Sequence, residues 1–224
     1  MPLPKPYLWG IDLGEVRDYT GVAVVRARLQ KGKPYYTLGV LERYNGGARG
    51  ILQTYAKPGL DFYELLSAHL VAQLDDEAKP YRGQSALVVD GTGSGREATI
   101  RFLRGRLARI APIYPLQIRP GELLGARQRD SGFIQVTRKD LLGTLAAVLD
   151  SGRLAAIDGL EAWPELRAEM LSVRLKEPRS GAADAGPRLA KNDDLALALA
   201  MCVWAGDQMA RQGTGGYVPV RYVA

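Results

Sequence analysis

The sequence predicts one α/β domain in which a central mixed sheet combines a three-strand antiparallel meander with parallel strands and is flanked by helices. Two observations support this. The first 45 residues contain three strand-like segments joined by short turns, whereas the residues that follow alternate short apolar strands with segments of helical periodicity. The 224 residues are enough for one well-buried core, and no internal repeat or linker divides them.

The N-terminal part predicts the meander and one helix. The segment TGVAVVRARL is rich in β-branched residues, and Gly32 and Pro34 mark the turn that follows it. A glycine-rich stretch then precedes apolar residues at helical spacing. The predicted elements are strands over 7–13, 20–29 and 35–44, a loop over 45–59 and a helix over 60–78.

The remaining chain predicts a βαβ pattern followed by helices. Thr137 and Asp140 have the spacing of a helix cap, and Pro164 suits the first turn of another helix. The segment 119–133 has no clear pattern. The predicted elements are a strand over 84–89 that ends at Asp90, a GTGSG loop, a basic helix over 96–110, a strand over 113–118, a helix over 137–150, an extended segment over 153–157, a helix over 163–175, a loop over 176–189 and a mobile tail over 211–224.

The segment 191–206, KNDDLALALAMCVWAG, predicts a buried helix. Asn192 or Asp193 can cap its start, and no charged residue occurs from Leu195 to Ala205. Two adjacent carboxylates, Asp193 and Asp194, would therefore lie at the edge of the core. The alternative is ordinary capping of a helix by an acidic pair.

Composition limits the classes of function that the chain can have. The net charge of +6 and the isoelectric point of about 9.5 favour a polyanionic partner. The single cysteine, Cys202, excludes an internal disulfide and a cysteine-based zinc site, and the single histidine, His69, is expected to be solvated or packed. The N-terminus lacks the apolar region of a signal peptide, and no apolar run is long enough to span a membrane. We expect a soluble, cytoplasmic protein.

Acidic residues occupy the places where α/β sheets form sites. Asp12 and Asp90 end predicted strands, and Asp193 and Asp194 begin the apolar helix. Each could alone be a turn or capping residue. Together, and with no cationic partner evident in the sequence, they are expected to raise one another's pKa or to bind Mg²⁺ or Mn²⁺. Two such ions would activate water and stabilise the leaving oxygen of a phosphodiester.

Three motifs in order, GIDLG, VVDGTGSG and NDDLALALA, resemble the RNase H-like nuclease domain of phage large terminase subunits. The segments TRKDLLGTLAAVLDSGRLAAI and WPELRAEMLSV resemble the middle of that domain, so the resemblance spans residues 7 to 206. It implies an endonuclease that uses Mg²⁺ or Mn²⁺ to cut concatemeric double-stranded DNA during packaging in a phage-infected bacterium. A packaging ATPase domain, the portal or a small terminase subunit would be its partners.

The resemblance also implies the site residues. Asp12, Asp90 and the pair Asp193 and Asp194 match the catalytic, metal-binding acids, and Asp194 is favoured as the direct ligand of the pair. Asp18 matches an acid that serves as an accessory ligand in some members, although a turn residue is the alternative.

The chain departs from the terminase pattern in one respect. It has no ATPase motor, and its GTGSGRE segment lacks the GK[ST] ending of a phosphate-binding loop. We therefore interpret GTGSG as a tight turn after Asp90. The chain is expected to be either an excised nuclease domain or a stand-alone relative with another DNA substrate.

Basic residues near the acids are expected to contact DNA phosphates without reading sequence. Most arginines of the basic helix over 96–110 are interpreted as a solvated face. The predicted DNA-binding residues are Arg127, Arg129, Arg138, Lys139 and Lys191.

Three other functions fit part of the sequence. A Holliday-junction resolvase would use the same acids and differ in preferring branched DNA. An actin- or hexokinase-like ATPase would explain the IDLG and DGTGSG segments, but such proteins need two domains. A non-catalytic DNA-binding module would gain nothing from clustered acids beside phosphates.

Overall fold

The computed structural model describes residues 5–14, 19–45, 61–93, 95–120, 129–130, 132–174 and 193–212. They form one mixed sheet with helices on both faces. The strands are β1 (Tyr7–Asp12), β2 (Tyr19–Gln30), β3 (Lys33–Asn45), β4 (Ser85–Asp90), β5 (Ile113–Arg119), β6 (Arg129–Asp130), β7 (Phe133–Thr137) and β8 (Leu154–Ala156), and the helices are α1 (Phe62–Asp75), α2 (Gly95–Arg104), α3 (Arg106–Ile110), α4 (Arg138–Asp150), α5 (Trp163–Arg174) and α6 (Asp194–Gln212).

The sheet confirms the predicted mixture of antiparallel and parallel strands. Its order is β6-β7-β5-β4-β1-β2-β3-β8. Strands β1, β2 and β3 form the antiparallel meander, while β4 pairs parallel to β1, β5 to β4 and β7 to β5. The C-terminal ends of β1 and β4 therefore lie side by side, at the edge of the sheet where α/β proteins form sites.

Two regions differ from the prediction in which elements they contain. The single basic helix over 96–110 is two helices, because Gly105 adopts an extended conformation with φ −90° and ψ −169° and becomes the N-cap of α3. The segment without a clear pattern contains a short strand, β6, and β7 begins at its last residue, Phe133, and pairs with β5 over Ile134 to Thr137. The residues before β7 are polar and include glycine, so the sequence shows no strand pattern there. Strand β7 gains its stability from the neighbouring strand.

Helix α6 is buried as its sequence predicts. Every residue from Leu195 to Ala205 is no more than 4% exposed. The helix continues to Gln212, two residues into the predicted tail; residues 213–224 and the predicted loop 176–189 lie outside the described residues.

Two glycines let α6 lie directly on the sheet. A Cβ atom at Gly10 of β1 would lie 1.9 Å from the carbonyl oxygen of Ala198, and one at Gly21 of β2 would lie 2.4 Å from that of Asp194. Any side chain at these positions would push the helix away. Because Gly21 pairs with Asp12, this contact fixes the first turn of α6 beside the end of β1.

The opposite face of the sheet packs on α1, α2 and α3. Its core contains Trp9, Leu70 and Phe102, each no more than 2% exposed. His69 is also buried here, where its Nε2 lies 3.1 Å from the Tyr44 hydroxyl, which confirms the expectation of a packed histidine. None of the helices in the described part of the chain has the length and apolar character needed to cross a membrane.

Candidate active site

The floor of the candidate site is made by two aspartates at neighbouring strand ends. Ile11 and Val89 are partners in the parallel β1–β4 ladder, so Asp12 and Asp90 occupy the next position on each strand. Neighbouring strands are about 4.8 Å apart, and side chains alternate between the faces of a sheet. Both aspartates therefore point to the face that carries α6, because Ile11 and Val89 belong to the opposite core.

The loop after β4 holds Asp90 in place. Asp90 Oδ1 accepts hydrogen bonds from the Thr92 backbone N–H at 2.8 Å and the Thr92 hydroxyl at 2.6 Å. The Thr92 hydroxyl in turn accepts from the Ile118 N–H of β5 at 2.8 Å. Gly93 has a positive φ of 58°. These bonds agree with the interpretation of the glycine-rich segment as a tight turn after Asp90.

Burial shifts the pKa of Asp90. Desolvation raises the pKa of this carboxyl above its ordinary value, although the hydrogen bonds from Thr92 and the charge of Arg138 lower it in part. A cation that approaches a carboxylate in such surroundings lowers its free energy and so stabilises the ionised form.

The head of α6 brings two more carboxylates. The Asp193 carbonyl accepts the first helical hydrogen bond, from the Leu197 N–H at 2.9 Å, as an N-cap residue does. An ordinary capping side chain would also accept from the Ala196 N–H. Here Glu169 of α5 makes that bond, at 2.8 Å. The Asp193 side chain is thus not used as a cap and forms an ion pair with Arg138 instead.

Glu169 and Arg43 form a supporting pair that the sequence analysis missed. Glu169 is only 5% exposed and is ion-paired with Arg43 of β3. The Arg43 guanidinium also lies 3.9 Å from Asp194 Oδ2 and 4.9 Å from the centre of the Tyr19 ring. The only signal in the sequence is that Glu169 follows the buried Leu166 by three residues, which places it on the inner face of α5.

Arg138 corrects the expectation that the acids have no cationic partner. It is the first residue of α4, directly after the Thr137 cap, and it forms an ion pair with Asp193. Its charge also interacts with those of Asp12, Asp90 and Asp194. One guanidinium therefore pairs with Asp193 and lies near enough to Asp12, Asp90 and Asp194 for their charges to act on it. The sequence could not show this, because α4 and α6 are brought together by the fold.

The four acids match a hard divalent cation in chemistry. Carboxylate oxygens are the ligands that Mg²⁺ and Mn²⁺ prefer, and no histidine or cysteine competes near them. Within the described ranges, however, no three His, Cys, Asp or Glu side chains are arranged as a metal site. Arg138 offsets part of their negative charge in this arrangement.

Comparison with solved structures identifies the fold. The structure matches the large terminase nuclease of the thermophilic phage G20c with a TM-score of 0.50 and 19% sequence identity, over 88% of this chain and 80% of that one. It matches the human cytomegalovirus terminase nuclease domain, in a Mn-soaked and inhibitor-bound crystal, with a TM-score of 0.51 and 15% identity, over 92% and 85% of the two chains. This is the RNase H-like fold of terminase nucleases.

Other comparisons are weaker. The yeast mitochondrial Holliday junction resolvase aligns with a TM-score of 0.44 and 11% identity, over 93% of this chain and 80% of that one. No protein-family model matches the chain, and no curated protein matches it in sequence. The likeness to terminase nucleases is therefore one of fold, and the residue assignments depend on the geometry above.

The predicted DNA-binding residues are only partly described. Lys139 is exposed at the start of α4, whereas Arg138 lies among the acids. Arg129 lies in β6, opposite Ile134 of β7. Arg127, Lys191 and the predicted accessory ligand Asp18 lie outside the described residues.

Two arginines in the segment predicted as one basic helix, which is α2 and α3 in the structure, have acidic partners on the same side of the sheet. Arg101 is ion-paired with Asp61 and Glu97, and Arg106 with Asp75. These exposed pairs connect α2 and α3 to α1, so these two arginines belong to the packing of that layer.

Proposed function

We propose that the chain is an endonuclease that uses Mg²⁺ or Mn²⁺ to hydrolyse phosphodiester bonds of double-stranded DNA, as the terminase nucleases of the same fold suggest. The observation that supports this most directly is that Asp12 and Asp90 end neighbouring strands and that the first turn of α6, with Asp193 and Asp194, lies beside the end of β1. A binding surface for phosphates would gain nothing from acids at one place, whereas carboxylate oxygens are the ligands that bind Mg²⁺ and Mn²⁺.

Asp12, Asp90 and Asp194 would hold the cation, with Asp193 as a further ligand. A bound divalent cation supplies the Lewis acid that neutralises charge on the phosphate and lowers the pKa of water. In the hydrolysis, a water oxygen bonds to phosphorus, one P–O bond to a sugar breaks, and the departing oxygen takes up a proton. Other residues of the chain position these ligands. Thr92 orients Asp90 through its hydrogen bonds, and Glu169 accepts the Ala196 N–H, so that the Asp193 carboxylate is not needed as a helix cap.

The surface around the acids supports a DNA substrate. Lys139 is exposed one residue from Arg138, and the net charge of the chain is +6. Such cations would bind the phosphate backbone, so affinity should fall as salt rises and should depend little on base sequence. We further propose that Arg127, Arg129 and Lys191 contact the duplex, that Asp18 assists metal binding, and that a packaging motor delivers the DNA in the cytoplasm of a bacterial host.

Cleavage of supercoiled plasmid tests the proposal. Wild type and Asp12→Asn are incubated with Mn²⁺, with Mg²⁺ and with EDTA. We expect nicked and linear DNA from the wild type in either metal and none in EDTA. The Asp12→Asn variant should lose at least about 100-fold, since even residues that only orient metal ligands cost 10- to 100-fold when changed.

An acid outside the site provides the matched control. Asp75 of α1 is ion-paired with Arg106 on the other side of the sheet, so Asp75→Asn should cut as the wild type does. Equal cleavage by Asp12→Asn and wild type would refute the site, and cleavage that persists in EDTA would refute the metal. A preference for four-way junctions over linear duplex would favour a resolvase instead.

A further inference from the structure

Arg138 is a basic side chain whose charge interacts with all four acids of the candidate site. It forms an ion pair with Asp193, and its charge interacts with those of Asp12, Asp90 and Asp194. The side chain is 34% exposed as a whole, so it is only partly buried. Arg43, the other nearby arginine, is ion-paired with Glu169.

The position of Arg138 is unfavourable apart from these acids. It is the first residue of α4, and the positive end of a helix dipole repels a cation. Its Nε is buried, with no hydrogen-bond acceptor among the described residues. A buried donor without an acceptor costs free energy. The attraction of the carboxylates therefore holds the side chain in place.

The charge balance leaves room for a stronger cation. When all four acids are ionised, one guanidinium neutralises a quarter of their formal charge. A divalent ion carries twice the charge of a guanidinium and binds carboxylate oxygens directly. It would also remove the attraction that opposes the helix dipole, so that the long arginine side chain could turn away through its rotatable bonds.

We propose that Arg138 is a tethered counter-ion that stabilises the metal-free site, competes with the divalent cation for the four acids, and is released towards a DNA phosphate when the cation binds. The inference rests on the proposed metal-dependent function and adds to it: the affinity for the cation is set by Arg138 as well as by the ligands. Direct binding of the cation, in the absence of DNA, is therefore the property to measure.

The experiment is a titration of full-length protein with Mn²⁺ by calorimetry and by thermal unfolding. It compares the wild type with Arg138→Gln and Arg138→Lys. We expect Arg138→Gln to bind Mn²⁺ at least about tenfold more tightly, and to gain more in unfolding temperature from Mn²⁺, because the ion replaces the missing charge. Arg138→Lys keeps the charge and should bind Mn²⁺ close to the wild-type affinity. Arg104→Gln, which removes one positive charge from an exposed position on α2, is the control and should leave the affinity unchanged.

The outcomes separate the two proposals. If the wild type binds Mn²⁺ and cuts plasmid but Arg138→Gln binds no more tightly, the counter-ion role is refuted and the nuclease proposal stands. If neither protein binds Mn²⁺, both proposals fail. If Arg138→Gln folds only when Mn²⁺ is present, the ion has replaced the guanidinium, as proposed. If Arg138→Gln stays unfolded even with Mn²⁺, while Arg138→Lys folds and binds Mn²⁺ at least tenfold more tightly than the wild type, the charge does not compete and the role is refuted.

Discussion

The two faces of β1 carry different kinds of residue: one face packs in the core against α1, α2 and α3, and the other contacts α6 beside the candidate site. Trp9 and Ile11 point to the layer of α1, α2 and α3, where large side chains fill the space between sheet and helices. Leu8, Gly10 and Asp12 alternate with them and point to α6. On this second face the sequence changes within five residues from a large apolar side chain to none and then to a carboxylate.

The difference shows how one strand can support both stability and a site. Side chains keep α1 at a distance from the sheet, whereas Gly10 and Gly21 let the backbone of α6 touch it. That contact brings Asp194 beside the end of β1. A change on the first face should therefore affect stability, and a change on the second should affect the site.

The largest expected effect on stability is from Leu70→Ala, on the α1 face. Leu70 is 1% exposed, and removing such a side chain costs about 2–5 kcal/mol in the free energy of unfolding. Chemical denaturation measures this loss. Plasmid cleavage per folded molecule should stay at the wild-type level, and a proportionate loss of cleavage at a temperature where the variant is fully folded would contradict the division between faces.

A smaller loss of stability but a larger loss of activity is expected from Gly21→Ala. The added Cβ meets the backbone of Asp194, which must move, at a cost of about 1–3 kcal/mol. A displacement of about 1 Å can reduce catalysis about 100-fold. Gly39→Ala is the matched control, because a Cβ at that position of β3 has no atom within 4 Å. Denaturation and plasmid cleavage should separate the two variants; equal activities would show that the close contact does not position the site.

The smallest effect concerns acid stability on the α1 face. Burial would raise the pKa of Glu42, but the neighbouring His69 ring and the hydrogen bond from the Tyr44 hydroxyl outweigh it and lower the pKa below its ordinary value. A carboxyl whose pKa is lower in the folded state stabilises the protein above the unfolded pKa, and this contribution disappears as pH falls through the folded pKa. Glu42→Gln should therefore flatten the decline in stability below about pH 4.3. Denaturation from pH 3 to pH 6 measures it, and parallel curves for the two proteins would contradict the assignment.

Much of the site could be anticipated because strand ends and helix starts have local signals. Asp12 and Asp90 follow apolar strands, and the run after Asp194 contains no charge, so each acid could be placed on its element. The supporting residues had no such signal. Glu169 shares its helix with another acid, Glu165, and Arg43 is one of several arginines in the meander.

The sequence alone determined the mixed sheet, the buried helix and the place of each of the four acids at the end of a strand or the start of that helix, because periodicity and capping act over a few neighbouring residues. Only the tertiary structure decided which charges meet. Arg138 could be predicted as a DNA contact from its basic neighbourhood, but its position among the acids depends on how α4 and α6 pack. Likewise, the sequence allows Asp193 to cap its helix, but in the structure Glu169, 27 residues before Ala196, accepts the hydrogen bond from the Ala196 N–H. Charges interact across space, so their partners are chosen by the packing of elements that local sequence does not specify.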